Sequence, residues 1–173
     1  MKKQVKLYNV LFPVWLLWLF PQVLLIVLPG NLAIDCLVLF CALRALKHTQ
    51  KGAVLKQLWW KFWLLGFAAD LVGTAWMFST LLPSLLTGGN SASSPALRWW
   101  EQTMLGSPML RPWTHPLTFF WTLAGVAIAG VCIYLFDKRA MRKCGLLTDR
   151  EKHIIALAMA IATAPWLFFW PAY

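Results

Sequence analysis

The sequence predicts an all-α membrane protein, a polytopic helical bundle, and three observations support this prediction. Of the 173 residues, 60% are hydrophobic and 13% are charged, whereas soluble domains are nearer half apolar and a quarter charged. Apolar stretches of about 20 residues, long enough to cross ~30 Å of hydrocarbon, recur along the chain. The basic residues cluster in alternate connections between these stretches. A soluble domain of this length could not bury so much apolar surface, so ordinary soluble, disordered and disulfide-scaffold classes are excluded.

Five apolar stretches are candidate membrane spans within a single membrane domain of residues 1–173. They cover residues 7–28, 32–46, 62–86, 117–136 and 154–173. The first follows a basic start but is too long for a signal peptide and lacks a small-residue cleavage site, so we expect a retained signal anchor. A tight turn at Leu28–Asn31 is expected to separate the first two spans, because Pro29 and Gly30 favour turns.

Helix-end signals support the limits of the last two spans. Pro116 follows His115 and suits the first turn of the fourth helix. Gly145 suits the end of that helix. Thr148 and Glu151 have the spacing of a capping box directly before an apolar run, which predicts the start of the fifth helix.

The distribution of Lys and Arg predicts the orientation. With five crossings and a cytoplasmic N-terminus, 14 of the 16 basic residues lie on the inner side, near the N-terminus and around cytoplasmic loops 47–61 and 137–153. Only Arg98 and Arg111, in outer loop 87–116, fall outside. We therefore expect an external C-terminus and a bacterial cytoplasmic membrane. The net charge of +10 is then an orientation signal and not a sign of nucleic-acid binding, and the inner loops are expected to contact anionic lipid headgroups.

The outer loop contains a candidate interfacial helix. Ser94 and the following proline suit its start, and Gly106 suits its end. Leu97, Trp100 and Met104 share one face at helical spacing, which predicts a short helix lying on the outer membrane surface. A lid or a docking element for a partner is the alternative function of this segment.

Two aspartates are the candidate ion or proton site. Asp70 lies deep in the third span, where a charged carboxylate costs about 2.5–3.5 kcal/mol. When the midpoints of all spans are placed at the same depth in the membrane, no other span has a polar side chain level with Asp70. Tyr134, about one turn further inward, is the nearest hydrogen-bonding candidate. Asp70 is therefore either a proton- or cation-handling site or a protonated group hydrogen-bonded within the bundle or at an assembly interface. Asp35, near the outer start of the second span, is either structural or a place where ions enter.

Small residues predict close helix packing, either within the protein or between copies. They flank Asp70 on the third span and recur at four-residue spacing on the fourth and fifth spans, at Gly66, Gly73, Gly125, Ala129, Gly130, Ala156, Ala160 and Ala164.

The sequence contains no recognisable catalytic motif, so an enzyme is not favoured. The Cys and His spacings match neither a redox pair nor a metal site, and we expect no cofactor and no metal. The sequence leaves two functional hypotheses. The first is a small accessory or assembly subunit that acts through helix packing in a homo-oligomer or with a partner membrane protein. The alternative is a small oligomeric channel or ion- or proton-coupled transporter that uses Asp70.

Overall fold

The computed structural model describes residues 21–88, 94–105 and 111–169. This part of the chain is helical and contains no strand. We number the α-helices α1 (Pro21–Ala45), α2 (Lys51–Phe78), α3 (Leu82–Leu86), α4 (Pro95–Met104), α5 (Pro116–Ala140) and α6 (Asp149–Ala162). Short 3₁₀ turns follow α2, α5 and α6 at Ser79–Leu81, Met141–Lys143 and Trp166–Phe169.

Four helical segments of the described chain are long and apolar enough to cross a membrane. They are Val27–Ala45, Lys51–Leu86, Pro116–Lys143 and Asp149–Phe169. The prediction of an all-helical protein with membrane-spanning helices is confirmed to this extent.

The turn expected at Leu28–Asn31 is wrong, because α1 runs without interruption through Pro29. A proline inside a helix removes one backbone hydrogen bond, but membrane helices tolerate it where neighbouring groups satisfy the disturbed backbone. The carbonyl that loses its usual partner is that of Leu25, four residues before the proline. The indole Nε1 of Trp63 in α2 donates to the Leu28 carbonyl oxygen at 3.1 Å and so links α1 to α2 next to the proline. Residues 7–20 of the first expected span lie outside the described residues.

A Schellman motif ends α1. The Lys47 backbone adopts a left-handed conformation with φ of 52°. The His48 amide donates to the Leu43 carbonyl and the Lys47 amide donates to the Arg44 carbonyl, both at 3.0 Å. These bonds satisfy carbonyls that the helix leaves free at its C-terminus and allow a short connection to α2.

The starts of α5 and α6 match the sequence signals. Pro116 occupies the first turn of α5 after the cap residue His115. The capping box of α6 is confirmed, because the Thr148 hydroxyl accepts from the Glu151 amide at 3.3 Å and the Glu151 carboxylate accepts from the Thr148 amide at 2.8 Å.

The fifth predicted span, 154–173, is not one continuous helix in the described residues. Helix α6 ends at Ala162, and a turn leads into the 3₁₀ segment Trp166–Phe169. Pro165 explains the break, since it has no amide hydrogen and disfavours helical conformation at the residue before it.

The helix expected in the connection before α5 is present as α4, and it docks on the bundle. The Trp100 indole donates to the Thr80 carbonyl at 3.0 Å and packs edge to face against Trp121, with ring centroids 5.9 Å apart. Met104, on the same helix face, is fully buried.

The long helices form a four-helix bundle in which α1 contacts α2 and α6, and α5 contacts α2 and α6. We call the end with the α1–α2 and α5–α6 connections the basic end, because Lys and Arg residues concentrate there. A large apolar core, including Leu43, Leu58, Phe62 and Ile155, fills the bundle toward this end. A smaller cluster around Met77 and Phe168 lies nearer the other end.

Candidate functional site

The two aspartates singled out in the sequence line the same cavity. Asp35 on α1 and Asp70 on α2 both border a space of about 220 Å³ between α1, α2 and the segment that follows α6. Asn31, one turn before Asp35, and Thr74, one turn after Asp70, add further polar groups to its wall. The cavity, which we call the acidic cavity, therefore collects polar residues from two helices within a predominantly apolar bundle.

Helical periodicity and one glycine explain why these residues meet. Gly66, Asp70 and Thr74 are spaced by four residues, so they lie on one face of α2. Gly66 lies directly opposite Asp35, because a Cβ atom placed on it would be 3.7 Å from the Asp35 carboxylate oxygen Oδ2. The absence of a side chain at Gly66 therefore leaves room for the Asp35 carboxyl group beside α2.

Several polar atoms of this wall have no hydrogen-bond partner in the described chain. These are the buried oxygen Oδ1 of Asp70 and the hydroxyl of Thr74. Thr74 is 6% exposed and Asp35 is 8% exposed. Burying a polar group without a partner costs free energy, and most buried polar groups in proteins are paired with protein or water. The wall therefore presents unsatisfied hydrogen-bonding capacity to whatever fills the cavity.

Among the described residues, the wall of the acidic cavity contains no Lys, Arg or His. The two ion pairs found in the described ranges, His48 with Glu151 and Lys152 with Asp149, both lie at the basic end. The described part of the wall thus offers Asp35 and Asp70 no positive charge to compensate their carboxyl groups.

The rest of the wall includes four aromatic side chains among smaller and aliphatic residues. Trp63 and Phe67 on α2, with Trp166 and Phe168 after α6, line the same space. Trp166 is 52% exposed, so the cavity reaches the surface of the bundle beside this residue.

Tyr134, expected near Asp70, does not line the cavity. Its hydroxyl lies 2.8 Å from Nδ1 of His153 and accepts from the Lys138 ammonium group at 3.2 Å, toward the basic end. The expectation relied on equal midpoints for the spans, and it placed Asp70 level with Ala42 of α1. In the structure Gly66 is level with Asp35, and Asp70 lies one helical turn after Gly66. The register differs from the expected one because α1 begins earlier than the expected second span and α2 begins at Lys51.

The small residues lie mainly at helix contacts inside this chain. A Cβ atom on Gly73 would be 3.0 Å from the Ala129 Cβ and 3.4 Å from the Gly125 carbonyl oxygen, which shows how closely α2 and α5 approach. A Cβ atom on Gly130 would be 3.6 Å from the Ala160 carbonyl oxygen and 3.9 Å from the Ala164 Cβ, at the contact of α5 with α6.

A third buried aspartate, Asp137 on α5, was missed by the sequence reasoning. It is 1% exposed, and neither carboxylate oxygen has a hydrogen-bond partner in the described chain. The missed signal is periodicity, since Asp137 continues the buried stripe that includes Ala129 and Ile133 at four-residue spacing. The adjacent Lys138 and Arg139 made the position resemble an ordinary interfacial residue.

Comparisons with protein-family models, with curated proteins and with solved structures gave no match for this chain.

Proposed function

We propose that this protein is a cation-handling membrane protein, in which the acidic cavity binds a cation in exchange for protons. The observation that supports the proposal is the presence of Asp35 and Asp70 in one cavity whose described lining has no basic residue. Two desolvated carboxylates without a counter-charge are costly, so a proton or a cation is required to compensate them. Protons and cations then compete for the same carboxyl groups, and this competition couples the movement of one to that of the other.

The accessory-subunit hypothesis receives less support from the geometry. It rested on the small-residue seams together with the sparse polarity of the spans and the lack of motifs, and the seams were its link to another membrane protein. Gly73, Gly125 and Ala129 are engaged at the α2–α5 contact, and Gly130 and Ala160 face each other between α5 and α6. Association through other surfaces, including a homo-oligomer, is compatible with the cation-handling proposal.

The proposed orientation has the basic end in the cytoplasm of a bacterial cell. Eleven of the 16 Lys and Arg residues lie around the two connections at this end, and only Arg98 and Arg111 belong to the connection at the opposite end. The positive-inside rule favours this orientation for α1, α2, α5 and α6. The direction of the preference is the same with or without a fifth span in residues 1–20, because the basic end then has 14 or 11 of the 16 basic residues on its side.

Proton exchange in proteoliposomes tests the proposed function. The purified protein is reconstituted in liposomes with an acidic lumen that contains a pH-sensitive dye, and Na⁺ or K⁺ is added outside at alkaline pH. We expect cation-dependent release of luminal protons from the wild type and its loss in Asp35→Asn and Asp70→Asn, which remove the charge but retain the side-chain shape.

Asp149→Asn is the matched control, because it makes the same change at an exposed carboxyl group away from the acidic cavity. It should leave the proton signal unchanged. Retained exchange in both cavity variants, or no response of the wild type to any cation including organic ammonium ions, would contradict the proposal.

A further inference from the structure

We propose that the ligand of the acidic cavity is a small organic cation, a protonated or quaternary amine. This inference rests on the proposed cation-handling function and adds the chemical class of the ligand. It follows from the combination of two carboxyl groups with four aromatic side chains, Trp63, Phe67, Trp166 and Phe168, around one space.

The two tryptophan rings line the cavity with their indole nitrogens already engaged, so they can contribute ring surface to ligand binding. The Trp63 Nε1 donates to the Leu28 carbonyl at 3.1 Å, and the Trp166 Nε1 donates to the Ile161 carbonyl at 2.7 Å. Trp63 also packs edge to face against Phe67, with ring centroids 5.4 Å apart. These contacts hold the rings in position, and alkylammonium groups bind favourably against such aromatic faces.

The size of the cavity favours an organic ion over a dehydrated metal ion. One water molecule needs about 10–15 Å³ of such space, whereas the acidic cavity offers about 220 Å³. A metal ion would need several oxygen ligands drawn closely around it, whereas ten of the fifteen residues that line this cavity are apolar or glycine, four of them aromatic. A tetraalkylammonium-sized ion instead places its diffuse charge near both carboxylates and its methyl groups against the rings.

The break after α6 completes this site. Because α6 ends at Ala162 and Pro165 prevents its continuation, the chain turns and adds Trp166 and Phe168 to the cavity wall. Phe168 is 6% exposed and closes the inner part of the wall. The half-exposed Trp166 lies where the cavity reaches the bundle surface, so it is available to an entering ligand.

Calorimetric binding to the purified full chain in detergent tests the ligand class. The probes are tetramethylammonium, choline, Na⁺ and 3,3-dimethylbutan-1-ol, which has the shape of choline with carbon in place of the charged nitrogen. We expect saturable binding of tetramethylammonium and choline, at least about tenfold weaker binding of the neutral alcohol, and loss of organic-cation binding in Asp35→Asn and Asp70→Asn. Lowering the pH should also weaken binding, because protons neutralise both carboxyl groups, which are the titratable groups among the described lining residues.

An aromatic substitution separates π recognition from charge attraction alone. Trp166→Leu should weaken tetramethylammonium binding by about 3- to 30-fold, the range expected when a cation–π contact is lost. Trp60→Leu is the matched control, because Trp60 is similarly exposed at 48% but lies outside the cavity. It should leave binding unchanged. Thermal unfolding of each variant verifies that the fold is retained.

The outcomes distinguish the ligand class from the proposed function. If choline and its neutral analogue bind equally, or Trp166→Leu and Trp60→Leu behave alike, the organic-cation inference fails. If Na⁺ alone binds and drives proton release through Asp35 and Asp70, the inference fails while the proposed function stands. If no cation binds or drives proton release, both fail.

Discussion

The contact between α2 and α5 at Gly73 allows a quantitative test of the packing. In Gly73→Ala the added Cβ would lie 3.0 Å from the Ala129 Cβ, 3.4 Å from the Gly125 carbonyl oxygen and 3.5 Å from the Phe168 ring. Ordinary carbon–carbon contacts are about 3.5–4.0 Å. The helices must therefore separate by about 0.5–1 Å at this point, because an alanine methyl group and a backbone carbonyl cannot rotate away.

The expected cost follows from two opposing contributions. Overpacking costs about 1–3 kcal/mol, and the two rigid neighbours favour the upper part of that range. Replacing glycine by alanine in a helix returns about 0.5–1 kcal/mol through lower backbone entropy in the unfolded state. We expect Gly73→Ala to lower the free energy of unfolding by about 1–2 kcal/mol.

Gly52→Ala is the matched control on the same helix. A Cβ atom at Gly52 would meet nothing within 4 Å, so only the entropic gain remains. This variant should raise the free energy of unfolding by about 0.5–1 kcal/mol. The two substitutions are chemically identical, and the structure predicts opposite signs for them.

Unfolding by sodium dodecyl sulfate in mixed micelles, followed by tryptophan fluorescence, measures both changes. The stacked rings of Trp76 and Trp121, with centroids 4.7 Å apart, lie at the α2–α5 contact and report its separation. Adding Ala129→Gly to Gly73→Ala removes the nearest contact and should show favourable coupling of at least about 0.5 kcal/mol. The packing argument is refuted if Gly73→Ala is as stable as the wild type or changes in the same direction as Gly52→Ala.

Three further predictions concern single local features. Thr148→Ala should lower the free energy of unfolding by about 1 kcal/mol in the same assay, because it removes the acceptor for the Glu151 amide at the start of α6; an unchanged midpoint would contradict the capping role. Lys47→Gly should raise it by about 1 kcal/mol, since Lys47 has a φ of 52° that glycine adopts without strain; destabilisation would show that the lysine side chain matters more than its backbone. Gly66→Leu should weaken tetramethylammonium binding by at least about tenfold, because the leucine side chain fills space beside Asp35. Gly66→Ala, with its Cβ 3.7 Å from that carboxylate, should change binding by less than about threefold. Equal effects of the two variants would place the ligand elsewhere.

The ends of several helices could be predicted from local sequence, because local atoms make the contacts that define them. The capping box at Thr148 and the proline start at Pro116 involve residues no more than four positions apart. Their hydrogen bonds form within one helical turn, so the partners are readable in the sequence. The short helix α4 was predictable from Pro95 in its first turn and from a clear apolar face, although the Ser94 side chain makes no capping hydrogen bond.

The interruption expected at Pro29 could not be judged locally. Proline and glycine favour a turn when the backbone is exposed to water, whereas an apolar environment favours a continuous helix because it keeps the other backbone groups paired. Here Trp63, 35 residues away in sequence, also donates to the Leu28 carbonyl and links α1 to α2 next to Pro29. That partner depends on how α1 packs against α2, which no local pattern specifies.

The sequence by itself determined that this chain forms apolar helices, where several of them start and end, and that its scarce acidic residues are the unusual groups. These properties depend on composition and on interactions within a few residues. The tertiary structure alone decided that Asp35 and Asp70 share a cavity, that Tyr134 lies outside it and that Asp137 is buried. Relative helix register determines all three, and it follows from contacts such as Gly73 against Ala129 and Gly66 beside Asp35, between residues far apart in the chain.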